Sequence, residues 1–381
     1  MAEFIIRGGK ELTGEVEVRG AKNSALKILP AALLFDGPIT VKNTPLIEDV
    51  FRMVELLEEL GVKIRKIGER TFRLDGRDIE GSILKKDIAE RFRGSIVLTG
   101  PLLARRKKIF FPHPGGCVIG KRPIDVFEEG WIAMGAKVRV TKSGYEVRAD
   151  RLTGTDYTFK KISVTATESL MMTAVLAKGK TVLRNVALEP EIQSLAAFLN
   201  KGGAKIRGAG TPTIEIIGTG GKLLKGGGIF TVIPDRIEAG CFLILGAALG
   251  SNIRIKRVDL EHLRAIIALL EAAGAKIKKG KDWVSISHPK TLKSVSAKTR
   301  EYPWFVTDLQ APYAVLMTQA KGQAMIFVTV FDGRLNYIED LNRMGANIVP
   351  CDTHRILIHG PTPLKGREIE SPDLRAGLAF V

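Results

Sequence analysis

Cysteine is scarce in this chain. Only Cys117, Cys241 and Cys351 occur in 381 residues, an odd and widely scattered set that argues against a disulfide framework and fits a reducing compartment. No pair has CxxC or zinc-ligand spacing, and the five histidines do not gather beside them, so no metal site is expected. Long apolar runs are also missing: none approaches the ~20 residues of a membrane span. The opening MAEFIIRGGKELTG lacks the basic start, extended apolar stretch and small-residue cleavage site of a secretory leader. These absences lead us to expect a soluble, cytoplasmic protein with no membrane partner.

Acidic residues are in deficit, 41 against 58 lysines and arginines, for a net charge of +17. That balance admits nucleic acid, small anionic substrates, or simply a basic surface. The cations are spread along the whole chain rather than collected in an arm or helix, and no nucleic-acid-binding signature is present. Small anions are favoured, and no nucleic-acid partner is expected.

What the sequence does have is hydrophobic mass, 45% of residues, and a period. The phrases ELGVKI, AMGAKV, KGGAKI, AAGAKI and RMGANI place Gly61, Gly135, Gly203, Gly274 and Gly345 at separations of 74, 68, 71 and 71 residues. A helical pattern precedes each glycine; between Ile47 and Leu60, the residues Val50, Met53, Val54, Leu57 and Leu60 share a face. The glycine suits a left-handed helix C-cap. Alternating runs follow, such as Val62 to Ile67 and then Thr71 to Leu74, which predict a strand pair.

A second marker recurs upstream, where an apolar helix opens after a polar cluster: AKNSALKIL, RFRGSIVL, TATESLMM, PDRIEAGCF, TDLQAPYAV and PDLRAGLAFV. Helix N-termini carry unpaired amides and partial positive charge, so such starts gathered at a cleft would attract anions. Six starts precede five completed units. The sixth opens at Asp373 and the chain stops at Val381 in an apolar run, so an incomplete sixth unit is expected. The stretch Gly218 to Gly228, GTGGKLLKGGG, is the best linker candidate. Two domains are expected, one of residues 21–234 and one of 235–381 joined by 1–20.

The stretch PGGCVIGKRP, from Pro114 to Pro123, spells most of a P-loop but fails as one. Arg122 stands where magnesium would need a hydroxyl, and Pro123 removes a backbone amide. What remains is a glycine-flanked loop with a thiol beside Lys121 and Arg122. Cationic neighbours favour a reactive thiolate; a surface loop with an incidental cysteine is the alternative.

The motifs GAKNSALKILPAALL, PGGCVIGKRPIDVF, KKISVTATESLMM, EPEI, IPDRIEAG, TDLQAP, TVFDGRLNYIEDLNRMGA and DLRAG occur in this order. Together they resemble the UDP-N-acetylglucosamine 1-carboxyvinyltransferase family of enolpyruvyl transferases, along the whole chain. The resemblance implies an α/β fold: a two-domain inside-out α/β barrel of six βαβαββ-type repeats, the sixth incomplete here. It implies transfer of enolpyruvate from phosphoenolpyruvate to the 3-hydroxyl of UDP-N-acetylglucosamine, an early step of peptidoglycan precursor synthesis, by a monomer without metal or cofactor. The sister family, 3-phosphoshikimate 1-carboxyvinyltransferase, shares the fold but is not expected to carry the loop cysteine.

By the same resemblance Cys117 matches the general acid and Asp308 the base, although as bare sequence Asp308 reads as an N-cap. Lys22, Arg122 and Arg375 match cations that hold phosphoenolpyruvate, with Asn23 beside them. Arg93 matches a contact to the sugar nucleotide. The run Arg122, Pro123, Ile124, Asp125 and Val126, with Lys161, Ser163 and Val164, matches the uridine-diphosphate pocket. Val330 and Arg334 match a sugar contact and a closing residue. Glu189, Glu191 and the Asp235–Arg236 pair match further cleft positions, though alone each reads as a surface charge or cap. Thr165 stands where many relatives have glycine, and Val97 where some have tryptophan. The incomplete sixth unit leaves a non-catalytic nucleotide-sugar binder as the second reading.

Overall fold

A computed structural model describes residues 4–113, 115, 123–249, 252–331, 333–371 and 375–380; the side chain of Leu378 is not among what it describes. Of the expected site residues, Cys117 and Arg122 lie outside the described residues. The described residues form two compact units, one within 20–115 and 123–233 and the other within 4–19 and 234–380.

One structural unit recurs in both. In its plainest form strand Asp156–Thr158 leads through helix Val164–Val175 to the parallel strand Lys178–Arg184. Helix Pro190–Lys201 and the antiparallel strands Lys205–Arg207 and Thr213–Thr219 complete it. Ala297–Lys298 and Gly322–Phe327 repeat the parallel pairing around helix Gln310–Thr318, and the hairpin of Asn347–Pro350 with Arg355–Gly360 closes that sheet. The glycines that mark the period all hold positive φ, between 94° and 107°, at Gly61, Gly135, Gly203, Gly274 and Gly345. A β-carbon is costly in that region, which is why glycine recurs there.

Two sheets borrow their parallel strand from a distant part of the chain. Gly14–Glu17 pairs with Ile253–Lys256 in the 234–381 unit. Ile229–Thr231 returns to pair with Ile39–Lys42 in the 20–233 unit. The glycine-rich stretch before it is therefore not the linker expected from composition. Leu224 donates to Leu34 and accepts from Asp36, while the amides of Gly226 and Gly227 donate to Asp36 Oδ1 and to the Pro38 carbonyl. Backbone pairing, rather than the lack of side chains, decides its conformation.

The first helices of the repeats in the 20–233 unit have no exposed polar stripe and sit inside, as such helices must. Ser24 to Ala31, Thr99 to Ala104 and Ala166 to Val175 are continuously buried. The second helices bury a stripe, as Glu48–Glu59 does with Val50, Met53, Leu56 and Leu57. Sheets thus lie outside helices within the 20–233 unit. Close helix packing is set by Gly100, where a β-carbon would come 2.2 Å from the Ser169 carbonyl oxygen. Among the described residues no helix is long and apolar enough to cross a membrane.

Candidate functional site

The expected residues fall on both units. In the 20–233 unit they occupy helix starts. Lys22 is the first residue of helix Lys22–Ala31, with Asn23 half-buried beside it. Lys22 Nζ lies 2.5 Å from Asp49 Oδ2, a partner that the sequence did not suggest. Asp49 itself is in the first turn of helix Glu48–Glu59, where the amide dipoles favour a carboxylate.

Arg93 opens a 3₁₀ turn, Arg93–Leu98, rather than the α-helix the pattern predicts; the α-helix begins at Thr99. Ser95 explains part of this, since its hydroxyl donates to the carbonyls of Ala89 and Phe92 at 2.8 and 3.0 Å and so competes with the backbone ladder. The 3₁₀ turn packs against both helix Lys22–Ala31 and helix Val164–Val175.

Asp125 begins helix Asp125–Ala133 and is exposed, while Pro123 is exposed and Ile124 and Val126 are buried before and within it. The Val126 carbonyl accepts from the Tyr157 hydroxyl at 3.3 Å. Burial, then the charge of Glu129, raises that phenol to about 12. Ser163 is the N-cap of helix Val164–Val175, its Oγ accepting from the Ala166 amide at 3.3 Å. Lys161 is exposed just upstream. Glu189 and Glu191, which read as surface charges in the sequence, are buried at 7% and 3% exposure, on and just after the N-cap of helix Pro190–Lys201.

In the other unit the structure brings Asp308, Arg334 and Arg375 together from positions far apart in sequence. Asp308 lies in the 3₁₀ turn Thr307–Leu309 that precedes helix Gln310–Thr318. Its Oδ1 accepts from Arg334 Nη2 at 2.8 Å, and its Oδ2 lies 3.1 Å from Arg375 Nη2. Arg334 is fixed over the Phe331 ring at 5.2 Å; Val330, half-buried, lies just upstream. Burial alone would raise the Asp308 carboxyl, but the charges of Arg375, Arg334 and Arg236 overcome it and hold the group at about 2.

Arg236 is buried rather than a surface charge, with its guanidinium 5.6 Å from the centre of the Tyr302 ring. Asp235 caps helix Arg236–Leu249 by accepting from the amides of Ile237 and Glu238 at 2.8 and 3.2 Å. Cys241, on the same helix, was not expected here. Burial drives its thiol up to about 12 against the pull of Arg375, so it is held as a thiol. The signal for it was available, in the cysteine that follows PDRIEAG.

The grouping can grip an anion through guanidinium forks, and it includes a carboxylate able to receive a proton once those forks release it. Among the described residues no group of three or more His, Cys, Asp or Glu is arranged to hold a metal ion.

Residues 6–381 match the family described as EPSP synthase (3-phosphoshikimate 1-carboxyvinyltransferase). UDP-N-acetylglucosamine 1-carboxyvinyltransferase of Desulfatibacillum aliphaticivorans is 42% identical over 381 residues, all of this chain and 90% of that protein. UDP-N-acetylglucosamine 1-carboxyvinyltransferase 3 of Caldanaerobacter subterraneus subsp. tengcongensis is 40% identical over the same share of each. Among solved structures, the enolpyruvyl transferase NikO from Streptomyces tendae aligns with a TM-score of 0.87 at 25% identity, over 98% of this chain and 88% of that one. An EPSP synthase from Acinetobacter baumannii aligns at 0.73 with 19% identity, over 99% and 90%, a likeness of fold.

Proposed function

Since the chain belongs to the EPSP synthase family of enolpyruvyl transferases, we propose that it transfers enolpyruvate from phosphoenolpyruvate to the 3-hydroxyl of UDP-N-acetylglucosamine, releasing phosphate. The printed activity of relatives about 40% identical along the whole chain supports this acceptor. The observation that carries the reading is the Asp308 carboxylate gripped by Arg334 and Arg375, which combines anion-binding forks with a proton acceptor.

The reaction is an addition followed by an elimination. An acid protonates the methylene carbon of phosphoenolpyruvate, leaving cationic character on the central carbon. The sugar hydroxyl attacks that carbon and passes its proton to a base; loss of a proton from the newly formed methyl group then restores the double bond and expels phosphate. In this reading Cys117 is the acid and Asp308 the base. Lys22, Arg122 and Arg375 neutralise the phosphate and carboxylate, with Asn23 adding a hydrogen bond and Arg334 acting as the closing residue. Arg93, Pro123, Ile124, Asp125, Val126, Lys161, Ser163 and Val164 hold the nucleotide, and Val330 meets the sugar. The product would enter peptidoglycan precursor synthesis, and the protein would work in the cytoplasm.

Purified protein is expected to release inorganic phosphate when phosphoenolpyruvate and UDP-N-acetylglucosamine are both present, and Cys117→Ala to lose most of that release. Turnover with shikimate 3-phosphate instead of the sugar nucleotide would move the protein to the sister reaction. Turnover with neither acceptor would sink the reading.

A further inference from the structure

The ion pairs around Asp308 raise a question that the proposed reaction must answer. A carboxylate with one oxygen on Arg334 and the other facing Arg375 is a poor proton acceptor, because protonation must compete with both cations. The same two guanidinium groups are engaged by a carboxylate of the protein, and so are not simply waiting for an anion.

We propose that Asp308 is a built-in competitor for the anionic substrate, and that substrate binding activates the base by taking Arg375 away from it. Two observations support an exchange at Arg375 in particular. Its side chain is 22% exposed, against 8% for Arg334, so an incoming anion reaches it more easily. Arg334 is additionally braced by the Phe331 ring.

The exchange is favourable on charge. A phosphate or phosphoenolpyruvate carries more negative charge than one carboxylate and offers a guanidinium fork at least as good a geometry. Asp235, Arg236 and Cys241 also stand around the pair, so two carboxylates face three arginines. Bringing in an anion while Asp308 keeps its charge would leave an excess of negative charge in a partly buried site. Transfer of the hydroxyl proton to Asp308 Oδ2 leaves that total unchanged but moves the charge from the carboxylate to the sugar oxygen, where bonding to the cationic central carbon takes it up. The oxygen that loses Arg375 is therefore the oxygen that takes the proton, while Oδ1 stays on Arg334. The base is silent until the anion that needs it has arrived.

This inference rests on the proposed reaction for the role of the base, but its test can be read without turnover. Inorganic phosphate is titrated calorimetrically into the wild-type protein, Asp308→Asn and Arg375→Gln. Removing the competing charge with an isosteric amide is expected to tighten phosphate binding at least about fivefold, while Arg375→Gln weakens it and Asp308→Asn abolishes turnover. Asp308→Ser, which also removes the charge, carries the same expectation should the amide variant not fold. Equal or weaker phosphate binding by the charge-removed variants overturns the proposal, since Asp308 would then only be positioning the arginines. Failure of the wild type to release phosphate from phosphoenolpyruvate overturns the reaction instead, and leaves the phosphate titration to be read separately.

Discussion

Lys27 Nζ lies 3.4 Å from Glu168 Oε2, with 6% of one side chain and none of the other exposed. Burial, opposed by Lys27 and reinforced by Glu191 and Glu189, raises the Glu168 carboxyl to about 8. The folded state therefore holds this proton more tightly than the unfolded chain does. Its contribution is favourable below the ordinary value of 4.5 and is lost as pH rises from there through about 8. Within that window the loss is roughly 1.4 kcal/mol per pH unit. Glu168→Gln is expected to match the wild type near pH 5 and to melt several degrees higher at pH 9. Parallel melting curves for the two proteins across that range would remove Glu168 as the cause.

The two described cysteines should behave oppositely. Cys351 is exposed, whereas the Cys241 thiol is pushed up to about 12, chiefly by burial. The thiolate is the nucleophile, and at pH 8 Cys241 supplies on the order of one part in ten thousand of it. Brief iodoacetamide treatment followed by peptide mass mapping should label Cys351 and spare Cys241. Comparable labelling of both would mean that Cys241 is ionised and open.

Arg334 should matter for stability as well as for substrate. The Asp308 carboxyl is lowered from 3.8 to about 2, so its contribution is fully present above pH 3.8 and is lost as pH falls through 2. Arg334→Ala leaves Arg375 and Arg236 to hold the group. Its carboxyl titration, followed by carbon NMR, should move upward toward the ordinary aspartate range, and unfolding at pH 6 should cost about 1–2 kcal/mol less. An unmoved titration would show that Arg334 contributes nothing to the depression.

Gly100 offers a test of the interior packing. A methyl group there would meet the Ser169 carbonyl oxygen at 2.2 Å, and backbone cannot rotate away as a side chain can. Gly100→Ala is expected to destabilise the protein by roughly 1–3 kcal/mol, measured by urea unfolding, despite alanine's better helix propensity. A neutral or stabilising result would mean that the helices Thr99–Arg106 and Val164–Val175 pack less closely than described.

Much of the fold could be read from the sequence because glycine and hydrophobic period report on backbone geometry locally. Gly61 and its counterparts mark helix ends, and Val62 to Leu74 announces the hairpin now seen as Lys63–Gly68 with Thr71–Asp75. The relation of Asp308 to Arg334 and Arg375 was not legible as geometry. The three residues lie on separate turns, and nothing local in TDLQAP or DLRAG says that one carboxylate divides its oxygens between two arginines. Burial of Glu189, Glu191 and Arg236 was missed for a related reason: charged residues are seldom buried without partners, and partners distant in sequence leave no periodic trace. The glycine run near Lys225 misled because composition suggests freedom where long-range backbone pairing removes it.

The borrowed strands also impose a timetable on synthesis. Glu15 sits on the strand Gly14–Glu17, and Arg254, the residue it pairs with, lies 239 positions downstream. At bacterial and eukaryotic elongation rates that interval lasts roughly 10–50 s, during which the early strand has emerged without its neighbour. The 20–233 unit likewise cannot close its first sheet until Ile229–Thr231 is made. Closure of the first sheet of the 20–233 unit is thus held back to nearly the end of that unit, and the exposed apolar side chains of Phe4, Ile5 and Ile6 precede the strand that waits longer of the two. A chaperone that shields nascent chains would have to cover the strand Gly14–Glu17 for the whole of that interval.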